Sequence, residues 1–300
     1  MKKPKAPTYK RQKILLLLIS LAGGKLTRTD FQKLLFLVNQ GLTDPHYDFV
    51  PYRYGCFSFQ AADDLETLDR LGWIEMSGPN ICLRRNVQVK TGLAATELAG
   101  LSGSITRFQN LRGKQLIRFI YSKHPYFAIH SEIAKEILGD ADYERVLKLK
   151  ADLKKDKIQL FTIGYEGLKL ETYINSLIKN DIRLLCDVRQ NPVSRKYGFS
   201  KKTLSAGLPK LGIEYIHIPE LGIDSDRRRF LQDQSDFCEL FKQYSSELSQ
   251  RKHELSLLYK LLEQHKRVAL TCFEREHTDC HRHCISDKLT ECHGIKVVHL

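Results

Sequence analysis

The residues best suited to chemistry lie in one stretch near the end of the chain. Cys272 and Glu274 follow an apolar run, and Cys280, His281 and Arg282 come shortly afterwards. A cysteine at the end of a strand, beside a helix start and basic side chains, is placed to become a thiolate, the nucleophilic form. We therefore predict Cys272 as nucleophile or ligand, Glu274 as acid or base, and His281 as the residue that poises the thiol. A purely structural role for Cys272 is the alternative.

A second polar group follows another apolar run. Asp187 and Arg189 stand two positions apart, and Ser194 and Arg195 come next. Asp187 is either a further catalytic acid or base, or one half of a buried ion pair with Arg189. Arginine binds phosphate and carboxylate through paired N–H donors, so Arg189, Arg195 and Arg282 are the predicted anion clamp.

A third group lies in a glycine loop. In the segment 164–167, Gly-Tyr-Glu-Gly, the two glycines allow a tight turn whose backbone N–H groups can meet an anion at a helix start. A loop that only turns the chain is the alternative. The substrate-binding and anion-binding residues predicted from these groups are Tyr165, Glu166, Arg189, Ser194, Arg195, Cys280 and Arg282.

Cysteine and histidine are also numerous enough here to suggest zinc. No Cys-x-x-Cys pair occurs in the chain, however, and that pair is what makes a zinc prediction strong. We therefore predict no cofactor and keep zinc as the lesser alternative. The residues that would supply its ligands are Cys272, His277, Cys280, His281, His283, Cys284, Cys292 and His293.

The elements that position these groups alternate between strand and helix from residue 158 onward. Such alternation predicts an α/β fold with a mainly parallel sheet, in which ligands bind beyond the carboxyl ends of the strands. The predicted strands are Ile158–Ile163, Ile182–Val188, Glu214–Ile218, Arg267–Cys272 and Lys296–Leu300. The predicted helical segments are Leu168–Lys179, 201–211, 230–263 and one that begins near Asp279.

The first ninety residues predict a mostly helical module of the winged-helix type. Three helices, at 11–22, from Thr27 to Gly41 and at Phe59–Leu71, precede two short strands. The strands, Trp73–Met76 and Ile81–Arg84, are joined by a Ser-Gly-Pro-Asn turn.

The third helix of this module is poorly suited to DNA. It carries Asp63, Asp64, Glu66 and Asp69, whose carboxylates would repel phosphate. Binding of a partner protein and direct contact with nucleic acid both remain open. The residues predicted to touch nucleic acid lie instead in the basic start and the wing: Lys10, Arg11, Lys13, Arg84 and Arg85.

Composition sets the broad class. The 300 residues are 42% hydrophobic and 28% charged, which is typical of a globular chain with about two domains. We divide it into a module at 1–97, a helical connector at 98–156 and an α/β domain at 157–300. The net charge is +13, most of it in the first half, which suits polyanionic partners such as nucleic acid.

The apolar runs and the cysteines indicate the cellular location that we expect for this protein. No run reaches the ~20 residues of a membrane helix, and the run Ile14–Ala22 predicts a first core helix rather than a secretory signal. The eight cysteines lack the regular spacing of a disulfide scaffold. We expect a cytoplasmic protein with reduced thiols and no membrane contact.

Two family resemblances accompany these motifs. The series Thr162–Gly167, Asp187-Val188-Arg189, Pro192 to Arg195, Cys272-x-Glu274 and Cys280-His281-Arg282 resembles the family known as domain of unknown function 488 over about residues 158–300. That resemblance implies an α/β domain with a polar rim at these positions, and no agreed reaction.

The start of the chain is similar to a second family. Phe31–Leu37, Tyr47–Gly55 and Tyr121–Tyr126 resemble the antitoxin-type winged-helix family called Panacea. This resemblance implies binding of a partner protein or of DNA, and no chemistry.

Two hypotheses for function follow. The first is an enzyme that acts on a nucleotide, nucleic acid or other phosphate-bearing substrate, recruited by its winged-helix module, with a role in bacterial defence. The second is a non-catalytic regulator of the antitoxin or repressor kind, whose C-terminal domain senses an anion.

Overall fold

The fold comes from a computed structural model that describes residues 7–42, 44–84, 95–108, 110–228 and 234–300. The chain divides into two compact units, Met1–Asp152 and Leu153–Leu300. Each has its own apolar core. Arg85, one of the predicted nucleic-acid contacts, lies outside the described residues.

The first unit is mostly helical. Its helices are α1 (Lys10–Leu21), α2 (Arg28–Asn39), α3 (Phe59–Arg70), α4 (Ala95–Phe108), α5 (Gly113–Lys123), α6 (Ala134–Ile137) and α7 (Asp140–Leu153). Its strands are β1 (Lys25–Thr27), β2 (Val50–Tyr52), β3 (Gly55–Phe57), β4 (Ile74–Ser77) and β5 (Asn80–Leu83). Strands β1, β5 and β4 form an antiparallel sheet in that order, and β2 pairs with β3 in a separate hairpin.

Local signals set where these elements begin. The predicted start of α2 is confirmed, because the Thr27 hydroxyl accepts a hydrogen bond from the Asp30 backbone N–H at 3.0 Å. Ser58 caps α3 in the same way, through the N–H of Ala61. The predicted turn between the two short strands is also confirmed, since β4 and β5 pair from Ser77↔Asn80 onward.

We expected all four α3 carboxylates to repel phosphate from the surface, and for Asp64 this expectation was wrong. That residue is only 1% exposed and accepts hydrogen bonds from Arg11 Nε at 2.7 Å, Gln12 Nε2 at 2.8 Å and Tyr47 Oη at 3.0 Å. Helical periodicity alone could not reveal this burial, because two of the three donors lie on α1 and the third in a loop.

The second unit is an α/β fold with a parallel sheet, as predicted. Its strands are β6 (Gln159–Gly164), β7 (Leu184–Asp187), β8 (Glu214–His217), β9 (Arg267–Cys272) and β10 (Val297–His299). Its helices are α8 (Leu170–Lys179), α9 (Lys201–Gly207), α10 (Gln234–Leu248), α11 (Lys252–His265) and α12 (Arg282–His293). The strand order is β10-β6-β9-β7-β8, and all neighbouring pairs run parallel.

The register of the sheet brings the ends of three strands together. The central strand β9 places Cys272 opposite Gly164 of β6 and Thr271 opposite Asp187 of β7. From β6 the chain crosses β9 to reach β7, and from β9 it crosses β6 in the opposite direction to reach β10. Opposite crossovers of this kind open a crevice at the carboxyl ends of the strands.

Two boundaries differ from the sequence prediction. The stretch 230–263, predicted to be mostly helical, contains two helices, α10 and α11, separated by a turn at 249–251, and its residues 230–233 lie outside the described part of the chain. Helix α12 begins at Arg282 rather than near Asp279, so residues 273–281 form a loop between β9 and α12.

Membrane insertion through a helix has no support in the part of the chain that the structure describes: none of its helices combines the length and the apolar character that a bilayer crossing requires.

Candidate functional site

A cavity of about 330 Å³ lies where β6, β7 and β9 end. Its wall includes most of the residues predicted from the three polar groups, together with neighbours that the prediction left out. The lining residues are Tyr165, Arg189, Gln190, Asn191, Val193, Ser194, Arg195, Lys196, Ile223, Cys272, Phe273 and His281.

A thiol and an imidazole form part of the cavity wall, and a carboxylate lies beside the thiol. Cys272 ends β9 and is 2% exposed, and its Sγ–H donates to Glu274 Oε2 at 3.1 Å. The same sulfur lies 3.7 Å from Nδ1 of His281. The sequence brings Cys272 and Glu274 together directly, and the 273–281 loop returns His281 to them.

The hydrogen bond on the far side of the His281 ring identifies its tautomer. Nε2 lies 2.9 Å from the backbone oxygen of Val188, and a carbonyl oxygen can only accept. Nε2 therefore carries the proton. In the neutral ring, Nδ1 then presents its lone pair to the sulfur of Cys272.

A second cysteine, Cys280, lies near the same nitrogen. Its sulfur is 3.8 Å from His281 Nδ1, and the residue is fully buried. Burial, together with the neighbouring Cys272, raises the pKa of the Cys280 thiol well above its ordinary value. Cys280 does not line the cavity, so a direct contact with substrate receives no support from its position.

Asp187 and Arg189 form a buried ion pair, one of the two alternatives that the sequence left open. Arg189 Nε donates to Asp187 Oδ1 at 2.8 Å, and Tyr215 Oη donates to Asp187 Oδ2 at 2.6 Å. The Nη1 group of Arg189 donates to Tyr165 Oη at 2.7 Å and to the backbone oxygen of Phe199 at 3.0 Å.

Electrostatics keep this arginine charged in place. Burial by itself lowers the pKa of Arg189, but its hydrogen bonds to Asp187 and the charge of that carboxylate outweigh the burial and raise the pKa. Because its donors serve the protein, Arg189 orders the cavity wall, and its guanidinium is not a ready anion clamp.

Arg282 is also committed to the protein. It is 1% exposed, and its Nη2 donates to the backbone oxygen of Arg275 at 2.7 Å while Nη1 donates to that of Glu274. Its Nε has no hydrogen-bond partner among the described residues. The guanidinium thus ties the 273–281 loop to the start of α12.

The cavity's accessible cations are Arg195 and Lys196, beside Ser194. Arg195 is exposed and has no ion pair within the described part of the chain. Lys196 Nζ donates to the backbone oxygen of Tyr165 at 2.8 Å, and burial lowers the pKa of this lysine. Glu166, predicted to bind substrate, is exposed outside the cavity lining and accepts from the backbone N–H of Arg275 at 3.1 Å.

Sequence reasoning gave no individual site role to Lys196, Tyr215 or His217. His217 Nε2 donates to the backbone oxygen of Arg189 at 2.8 Å, while Lys201 Nζ donates to its Nδ1 at 3.0 Å. The basic run that begins at Arg195 was a visible signal for Lys196. Nothing in the sequence linked β8 to Asp187, because that contact depends on the order of the strands.

The basic residues predicted to touch nucleic acid in the first unit are largely paired with carboxylates. Lys10 lies 3.6 Å from Glu97, and Arg84 lies 3.9 Å from Glu75. Arg11 is bound to Asp64 as described above, and Lys13 is half-buried. These pairs reduce the positive charge that the unit can offer to phosphate.

Of the eight possible zinc ligands, the structure gathers three. The donor atoms of Cys272, Cys280 and His281 lie within 4.8 Å of one another. Two of the others are stacked against aromatic rings elsewhere: His277 against His299, and His293 against Tyr259.

The fold and the site therefore define an α/β domain with a parallel sheet and a polar cavity at the carboxyl ends of its strands. Residues 169–289 match the family model described as Domain of unknown function DUF488. This match supports the resemblance predicted for the C-terminal half and includes Asp187, Arg189 and the 272–282 segment. The resemblance of the first unit to a winged-helix family stays a prediction. No curated protein matches the chain.

Proposed function

We propose that the second unit is an enzyme that acts on a nucleotide, a nucleic acid or another phosphate-bearing substrate. The observation that carries this proposal is the composition of one cavity. Cys272 and His281 lie in its wall together with Arg195 and Lys196. A Cys–His pair shares this small space with two cations that form no ion pair among the described residues, and the combination suits a substrate that is both bound through an anion and changed chemically.

The hydrogen bonds indicate which residues bind the substrate, which react with it and which support the cavity wall. Ser194, Arg195 and Lys196 bind the phosphate, because the guanidinium and ammonium groups supply charge-assisted donors. Cys272, His281 and Glu274 form the reacting centre, with Cys272 as nucleophile or as metal ligand. Asp187 and Arg189 hold the wall between these two groups in place.

The size of the cavity narrows the substrate. At about 330 Å³ it lies at the small end of the range for ligand pockets, which runs from ~300 to ~1,000 Å³. It therefore suits one nucleotide unit or a phosphorylated fragment of that size. A longer nucleic acid would place a single unit in the cavity.

Under the same proposal, the first unit is a winged-helix recognition module that recruits a partner. The order of α1, β1, α2, α3, β4 and β5, with a three-stranded sheet, supports this assignment. The carboxylates paired with Lys10, Arg11 and Arg84 favour a protein partner over direct contact with DNA.

Calorimetric titration with nucleoside mono-, di- and triphosphates and with inorganic phosphate tests binding. We expect Arg195→Ala and Lys196→Met each to weaken binding about tenfold, which corresponds to ~1.4 kcal/mol. Lys210→Met, at an exposed lysine outside the cavity lining, is the matched control and should bind as wild type does. Failure of every phosphate-bearing ligand to bind would reject the proposal.

Product analysis by mass spectrometry tests catalysis. Glu274→Gln should keep the affinity for the bound nucleotide and lose conversion, because Glu274 exchanges protons and does not line the cavity. A wild-type protein that binds these ligands and converts none of them would instead favour the regulator hypothesis.

A further inference from the structure

We propose that Cys272, Cys280 and His281 bind one zinc ion beside the cavity. The inference deepens the proposed function, since it assigns Cys272 as a ligand rather than as the nucleophile. Its structural part can be tested without any substrate.

The distances fit a tetrahedral ion. With Zn–S near 2.3 Å and Zn–N near 2.0–2.1 Å, two ligands of a tetrahedron lie about 3.6 Å apart. Nδ1 of His281 is 3.7 Å from Sγ of Cys272 and 3.8 Å from Sγ of Cys280. All three donor atoms fall within 4.8 Å of one another before any ion draws them in.

The surroundings orient the histidine as zinc ligands are usually oriented. Zinc-binding histidines commonly donate their other ring N–H to a carbonyl or carboxylate, which aims the lone pair at the metal. His281 does this through Nε2 and the backbone oxygen of Val188, at 2.9 Å. His281 is 1% exposed, and its acceptor Val188 directly follows β7, so the end of that strand helps to set the orientation of the ring.

The chemical nature of the three ligand atoms indicates which metal ion the site would bind. Two thiolates and an imidazole favour zinc over magnesium or calcium, which prefer oxygen ligands. On binding, the thiols of Cys272 and Cys280 release two protons to solvent, and neutral His281 contributes a lone pair. Two negative sulfurs then balance the charge of Zn²⁺.

The fourth coordination position of the zinc ion would face Glu274 and the cavity. Glu274 stands two residues after one sulfur ligand, and its carboxylate is 3.1 Å from that sulfur. Zinc deaminases use two thiolates, an imidazole and a glutamate that is not a ligand but moves protons. With Cys272, Cys280 and His281 holding the ion, zinc would make a coordinated water more acidic. Glu274 would accept the proton that this water loses as its oxygen bonds to the electrophilic atom of the substrate, and would pass that proton to the leaving group as the bond between the leaving group and that atom breaks.

Metal analysis of the full-length protein tests the site. We expect one zinc per chain after purification without chelators, and recovery of one equivalent when metal-free protein is titrated with zinc. Cys272→Ser, Cys280→Ser and His281→Ala should each weaken zinc binding about a hundredfold or more, since loss of an outer-shell partner already costs 10–100-fold. Cys284→Ser, a buried cysteine on α12, and Cys292→Ser are the matched controls and should keep full affinity.

X-ray absorption at the zinc edge of the wild-type protein gives a result that does not depend on the folding of variants. Two sulfurs at ~2.3 Å and one nitrogen at ~2.0–2.1 Å, with one further light atom, would match the proposed ligands. A shell without two sulfurs, or a folded metal-free protein that takes up no zinc, would overturn the site.

Glu274→Gln separates the two proposals. It should keep one zinc per chain and lose turnover. Zinc bound as expected with no conversion of any phosphate-bearing substrate would reject the proposed enzyme and leave the metal site standing. Turnover in protein shown to be free of metal would reject the role of zinc in the reaction and leave the enzyme.

Discussion

Asp187 is the buried carboxyl partner of Arg189 inside the second unit. Its side chain is 0% exposed and that of Arg189 is 6% exposed, and Tyr215 donates to the same carboxylate. Removing one partner of a buried pair leaves the other charge without compensation. We expect Asp187→Asn to lower the free energy of unfolding by about 3–5 kcal/mol, measured by urea denaturation.

Glu291→Gln is the control for that measurement. Glu291 pairs with Lys288 on the surface, at 3.1 Å, where solvent screens the charges. This variant should unfold as wild type does. Equal stability of wild type and Asp187→Asn would show that the buried pair contributes nothing to the fold.

His130 in the first unit makes stability depend on pH. Burial, with the charge of Lys150 adding to it, lowers the pKa of His130 from 6.5 to about 4. Between about pH 4 and pH 6.5, His130 binds a proton in the unfolded chain but not in the folded protein. The free energy of unfolding should therefore fall as the pH drops from 6.5 towards 4, by up to about 1.4 kcal/mol per pH unit from this residue.

Comparison with the His130→Asn variant isolates the contribution of His130 to the pH dependence of stability. Urea denaturation at pH 7.5, 6 and 5 should show a smaller loss of stability on acidification in the variant than in wild type. Parallel losses in the two proteins would mean that His130 is protonated equally in the folded and unfolded states.

At the scale of elements, the end of β6 and the 273–281 loop come unusually close. A Cβ built on Gly164 would lie 1.8 Å from the backbone oxygen of Glu274, so any side chain there must push the loop away. We expect Gly164→Ala to destabilise the second unit by about 1–3 kcal/mol or more, the usual effect of overpacking, and to displace the site loop. Urea denaturation measures the first effect and zinc affinity the second.

Gly207→Ala is the matched substitution. Gly207 lies at the end of α9, and a Cβ there meets nothing within 4 Å. Because alanine is a better helix former, this variant should be neutral or more stable by up to about 1 kcal/mol. A stable Gly164→Ala with normal zinc affinity would show that the loop yields without cost.

At the scale of the whole molecule, each unit has its own core. In the second unit, buried residues from the strands pack with α10, α11 and α12, among them Leu160, Leu184, Val268 and Tyr244. We expect residues 153–300 produced alone to fold and to unfold cooperatively, since a domain with its own core can fold independently. Far-UV circular dichroism during thermal unfolding checks this. A fragment without a cooperative transition would show that the first unit is required for folding.

Much of the fold could be predicted because its signals are local. The apolar run Arg267–Cys272 predicted β9 with the correct bounds, and the Thr27 cap predicted the start of α2. The strand and helix alternation predicted a parallel sheet, and therefore a polar rim at its carboxyl edge. These inferences need only neighbours within a few residues.

The sequence by itself thus determined the elements, the class of the fold and the segments that meet at the site. Tertiary structure alone decided which side chains contact each other. Asp64 is buried against α1, Arg189 donates hydrogen bonds to Asp187, and Nδ1 of His281 lies close to the sulfurs of Cys272 and Cys280. Hydrogen bonds and metal coordination act over only a few ångströms. Residues as far apart in the chain as Val188 and His281 acquire such contacts only when the order and register of the strands place them side by side.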